Sequence, residues 1–163
     1  MRASSDPSGE ALVAQGKRVL LCQVGSIVCG LPLEHISETM RPLPIEPLQG
    51  MPPFVDGLAV VRGVPVPVVD LARLLGKESE ARRMRFVVVR ALERAVALAV
   101  ERVIGVGSLP VSAQPLPSLL GEANGQFVTA VASLDSRLLV ILESGRVLPP
   151  SAWQTFENRG GAA

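Results

Sequence analysis

The chain has 163 residues, 48% of them hydrophobic and 19% charged, with a formal net charge of +1. A chain of this size buries enough surface to fold without a disulfide or a metal staple, as one domain or as two small subdomains sharing a core. The near-zero charge excludes the strong field of a nucleic-acid binder, and aromatics at 3%, with no tyrosine, leave few platforms for base stacking.

Residues 1–16 are rich in small and polar types and predict a flexible N-terminal arm without the apolar run of a secretory leader. The longest apolar stretch is interrupted by Arg90, Glu93 and Arg94, so direct membrane insertion is not expected and the protein reads as cytoplasmic. Arg18 to Val24 reads as a strand, Gly25-Ser26 as a turn, and Ile27 to Leu31 as the returning strand of a hairpin. Cys22 and Cys29 sit in these apolar runs. They read as reduced core residues, bridgeable only if the segment doubles back. With one histidine and no second cysteine pair, no metal site is expected.

Pro32 suits a first helical position, and Leu33, Ile36 and Met40 recur at spacings of three and four, which predicts one or two helical turns. Five prolines between Pro42 and Pro53 predict an ordered, extended connection. Gly57 to Val61 and Val64 to Val69 read as short strands around Arg62-Gly63. Asp70 offers a cap for a helix over Leu71 to Leu75, which Gly76 would stop. A charged loop follows from Lys77 to Arg85. Strands are predicted over Phe86 to Val89 and Ala95 to Val100, and around Gly105 in the run Val103 to Val106. A second proline-marked connection, with Pro110, Pro115 and Pro117, leads to strands at Gln126 to Ser133 and Arg137 to Leu142. The tail over residues 149–163 is predicted to be weakly ordered, and no internal repeat stands out. So many short strands predict a mainly β fold of barrel type.

Pro65 and Pro67, two apart, remove two backbone donors that would face the same neighbour. That predicts an edge strand or a bulged corner. Arg62 is the lone charge between Asp56 and Asp70. It reads either as a solvent-facing turn residue or as a polar anchor for a partner.

These residues together resemble the CheW family, adaptors of bacterial chemosensory arrays whose fold recurs as the regulatory domain of the histidine kinase CheA. The resemblance rests on the opening hairpin with Gly25, Ile36-Ser-Glu38, Pro53-Phe-Val-Asp-Gly57, Arg62-Gly63 with Pro67-Val-Val-Asp-Leu71, Leu98 to Val106, and Leu138 to Leu142. It implies two small five-stranded SH3-like barrels around a common core, spanning residues 17–148. The implied function is a non-catalytic adaptor. Its partners would be the cytoplasmic tip of a chemoreceptor (a methyl-accepting chemotaxis protein) and the regulatory domain of a CheA-type kinase. An alternative is a divergent member that binds one of the two and acts as spacer or competitor. The implied receptor-binding groove comprises Ile36, Glu38, Arg62, Gly63 and Val64, with Glu38 and Arg62 close together. Val60-Val61 stands where the family often has Asn-Leu, and Pro65 replaces an apolar strand residue, which suggests a specialised pathway.

No cofactor or catalytic residue is expected. His35 reads as a structural helix residue and Asp70 as a cap. Gly76-Lys77 lacks the earlier glycine of a phosphate loop, and Arg82, Arg83 and Arg85 are diluted by Glu78 and Glu80 into a solvated loop.

Overall fold

The computed structural model describes residues 17–77, 85–91, 93–109, 113–115 and 127–159. The strands are β1 Arg18–Val24, β2 Ile27–Pro32, β3 Ile36–Met40, β4 Val55–Val61, β5 Val64–Asp70, β6 Arg85–Ala91, β7 Arg94–Val100, β8 Arg102–Ser108, β9 Gln114–Pro115, β10 Val128–Leu134 and β11 Arg137–Leu142. The helices are α1 Leu71–Leu74 and α2 Pro150–Arg159, with 3-10 turns at Leu33–His35 and Ser144–Arg146. The fold is mainly β, as the sequence predicts.

The strands form two sheets, one in the order β8-β1-β2-β11-β10-β9 and the other β3-β6-β7-β5-β4. Both are built alike. A central antiparallel hairpin (β1–β2, or β6–β7) carries one further antiparallel strand on its first member (β8, or β3). Its second member pairs in parallel with the closing strand of another hairpin (β10–β11, or β4–β5). The fold therefore contains a topological repeat that the sequence does not display. Neither sheet closes by hydrogen bonds among the described residues. The first gains a sixth, two-residue strand where five were expected.

Strands β6 and β11 are apolar on both faces because each face meets a different core. Side chains alternate across a strand. On β6, Val87 and Val89 face the core shared by the two sheets, while Phe86 and Val88 face a smaller core inside the second sheet. On β11, Val140 and Leu142 face the shared core, and Leu139 and Ile141 face a third cluster inside the first sheet. Cys22 and Cys29 lie directly opposite one another in the β1–β2 register, both buried in the shared core as free thiols.

Three expectations are corrected. Pro32 ends β2, and Leu33 to Met40 form a single 3-10 turn and then strand β3 rather than helical turns. Strand β3 pairs with β6, and the ladder leaves a helix no room. Strand β5 is an interior strand and not an edge: it pairs with β4 along its whole length and with β7 from Val68 to Asp70. The prolines fit because Leu58 spends its N–H and C=O on Glu46. The Leu58–Pro67 and Val60–Pro65 pairs are thus the non-hydrogen-bonded ones, and the proline nitrogens point to the side where β7 has not yet joined. Finally, the tail carries α2, whose Ala152, Trp153 and Phe156 are buried in the shared core.

Asp70 caps α1 as predicted, accepting from the Ala72 N–H at 3.0 Å. Gly76, at φ 80°, ends that turn. The arm over residues 1–16, Glu78, Glu80, Arg82, Arg83, Pro110, Pro117 and Gln126 lie outside the described residues.

Candidate functional site

The β4–β5 hairpin turns on two residues, Arg62 and Gly63, both with positive φ (51° and 82°). This is the signature of a tight turn whose twist matches that of its strands. Such a turn favours Asn or Gly at its first position, so an arginine there is a departure from local preference. At Gly63 a β-carbon would meet nothing within 4 Å, so the residue is needed for its backbone angle and not for space.

Arg62 reaches across to Glu38. Its Nε donates to Oε2 and its Nη2 to Oε1, both at 2.8 Å, a two-point pair. The Arg62 side chain is 78% exposed and that of Glu38 25%. The hydrogen bonds from Arg62, and then its charge, hold the Glu38 carboxyl below its ordinary range, and Glu38 in turn raises Arg62.

Glu38 lies on β3 and Arg62 at the tip of β4–β5, elements at opposite edges of the same sheet. The sheet therefore curls far enough for side chains at its two edges to reach each other, and the ion pair bridges them. A bulge makes this possible. Ile36 sits opposite Val89 and Glu38 opposite Val88, with Ser37 as the extra residue. Without the bulge, Ile36 and Glu38 would share a face. With it, Ile36 packs on the shared core, while Glu38 and Met40 lie on the side of the second sheet's own core.

Large apolar side chains stand exposed on the strands that flank the turn. Val60 is 64% exposed and Val64 56%. Val61 opposes Val64 and Val60 opposes Pro65, so Val64 lies on one face of the hairpin tip, and Val60 with the exposed Pro65 on the other. Of the residues singled out in the sequence, Glu38, Arg62, Gly63 and Val64 come together at this tip, and Ile36 is turned to the shared core. Val60 is a further member of the tip. Its signal in the sequence was an apolar residue next to an arginine turn at an outward-facing strand position.

A separate cavity of about 860 Å³ lies between the β6–β7 turn and α2, lined by Arg94, Arg146, Leu148, Pro149, Trp153 and Glu157 among others. The Arg94 guanidinium stacks 4.6 Å from the Trp153 ring and pairs with Glu157 at 2.7 Å. The sequence marks no element in the tail, so this arrangement has no signal in it. His35 lies in the 3-10 turn, its Nε2 3.6 Å from Glu34. No group of three or more His, Cys, Asp or Glu side chains suited to a metal occurs among the described residues. No helix of the described residues is long and apolar enough to cross a membrane.

A family model described as "CheW-like domain" matches residues 18–150. Protein FrzA of Myxococcus xanthus is 31% identical over 146 residues, covering 85% of this chain and 91% of the relative. Chemotaxis protein CheW of Rhizobium meliloti (strain 1021) is 26% identical over 139 residues, covering 82% and 88%. Among solved structures, the scaffolding protein TtCheW from Thermoanaerobacter tengcongensis superposes with a TM-score of 0.68 at 22% identity. That match covers 81% of this chain and 92% of that one, and is a likeness of fold.

Proposed function

The chain belongs to the CheW-like domain family, and on that premise we propose that it is a non-catalytic signalling adaptor. In this reading it couples the cytoplasmic tip of a chemoreceptor to the regulatory domain of a CheA-type histidine kinase. The observation that carries the proposal is the β4–β5 tip: a two-point Glu38–Arg62 pair with Val60 and Val64 exposed beside it. Arginine is among the residue types that dominate binding hot spots, and exposed valines beside it gain by leaving water. The named chemotaxis relatives support the same direction.

Docking at the tip and attachment to the kinase would use different surfaces, so an adaptor should hold both partners at once. Surface plasmon resonance with an immobilised receptor cytoplasmic fragment, this protein, and then a kinase regulatory domain tests that. Sequential binding of both supports coupling. Binding of one partner alone supports the divergent spacer or competitor, and binding of neither refutes both. Arg62→Ala is expected to weaken the receptor fragment by about tenfold or more. It should leave the melting temperature within about 2 °C, because the side chain is exposed. A large thermal loss with binding intact would make Arg62 a structural residue.

A further inference from the structure

Arg62 is not a bare cation. A guanidinium has five N–H donors, and Glu38 takes two of them, on Nε and Nη2, at 2.8 Å each. The remaining donors belong to a side chain that is 78% exposed, in a pair whose charges cancel. The sides of the tip are apolar: Val60, 64% exposed, on one face and Val64, 56% exposed, on the other. The tip is thus an apolar knob whose crest can donate hydrogen bonds but attracts a negative charge only weakly.

We propose that this knob selects a partner surface offering an apolar furrow and a neutral hydrogen-bond acceptor, a side-chain amide or a main-chain carbonyl, in preference to a carboxylate. A carboxylate would have to shed its water to meet a cation already balanced by Glu38, and would come to rest beside the Glu38 charge. Desolvation would then not be repaid. A neutral acceptor gives up far less hydration for the same donors, while Val60 and Val64 gain by leaving water. Glu38 is, in this account, a positioning residue with a second role: it sets the charge that Arg62 shows to a partner. The inference rests on the tip being the receptor-docking site.

The test is calorimetric titration of a purified chemoreceptor cytoplasmic fragment from the same organism. Salt would be about 50 mM and then about 300 mM NaCl, a range over which the Debye length more than halves. The expected affinity falls less than about threefold across that range, because the contact carries little net charge. Glu38→Gln uncovers the cation, but a neutral acceptor gives the new charge nothing to attract, so its binding should also fall less than about threefold across that range, while Val60→Ser should weaken binding by about tenfold at both salts. Circular dichroism checks that each variant folds; Val60 is exposed and its replacement disturbs no core. Affinity that falls tenfold or more with salt in the wild-type protein, and is lost in Arg62→Ala, keeps the docking site and overturns the neutral-acceptor inference. So does a Glu38→Gln variant that binds about tenfold tighter at low salt and loses that gain at high salt, because the acceptor facing Arg62 would then be charged. Binding unaffected by Arg62→Ala overturns the docking site itself, and the inference with it.

Discussion

Arg62 occupies a backbone conformation that ordinary side chains avoid, and from there its guanidinium reaches Glu38. The pair sets a pH dependence whose sign follows from the lowered Glu38 pKa. Whatever the pair contributes is fully present above the ordinary carboxylate range and is lost as pH falls through Glu38's depressed value. Carbonyl NMR of Glu38 should show it titrating at lower pH in the wild type than in Arg62→Ala; equal midpoints would show that the pair does not persist in solution. The two thiols predict the opposite of reactivity. Burial pushes Cys22 up to about 12 and raises Cys29 further, with Cys22 adding to the effect. A thiol reagent should label neither in the native protein and both after denaturation; rapid native labelling would show that the β1–β2 hairpin opens.

At the scale of elements, close backbone approaches decide more than propensity. Gly57, at φ 144°, follows the bulge in β4, and a β-carbon there would run into the Glu46 carbonyl that bonds Leu58. Gly57→Ala should therefore cost about 2 kcal/mol or more, read as a lower urea midpoint at an unchanged slope. A neutral outcome would mean that the Glu46–Leu58 bridge moves aside without cost. The cap of α1 belongs to a similar knot: Arg73 reaches Asp56 at 3.2 Å and lies 3.8 Å from the buried Asp70, tying α1 to β4 and to the end of β5. Helix α2 is held by its apolar side. Trp153 is 9% exposed, edge-on to Phe156 and capped by Arg94. Trp153→Ala should cost about 3 kcal/mol or more by opening the shared core. Equilibrium unfolding measures this, and a loss below about 1 kcal/mol would show α2 to be dispensable to the core.

For the whole molecule, the shared core matters more than the sheet count. Residues of β1, β2, β6, β7, β11 and α2 meet in one cluster that neither sheet could assemble alone. The two sheets should therefore melt as one cooperative unit, with coincident transitions by far-UV circular dichroism and by Trp153 fluorescence. Two separated transitions would show that the smaller clusters suffice to hold each sheet. Most strand positions (not that of β3), the β1–β2 hairpin, the Asp70 cap and the Gly76 stop were legible in the sequence because each depends on neighbours a few residues away. So was the composition of the β4–β5 tip, where an arginine turn interrupts an apolar run. What tertiary structure alone decided are the relations between distant segments. Ser37 bulges only because β3 must pair with β6. Strand β5 tolerates Pro65 and Pro67 inside a sheet because β7 joins it late. Helix α2, weakly marked in its own sequence, forms on a core that other strands supply. The meeting of Glu38 with Arg62 belongs to the same class: it follows from a sheet curling on its own core until side chains from opposite edges come within reach, a distance that no local pattern encodes.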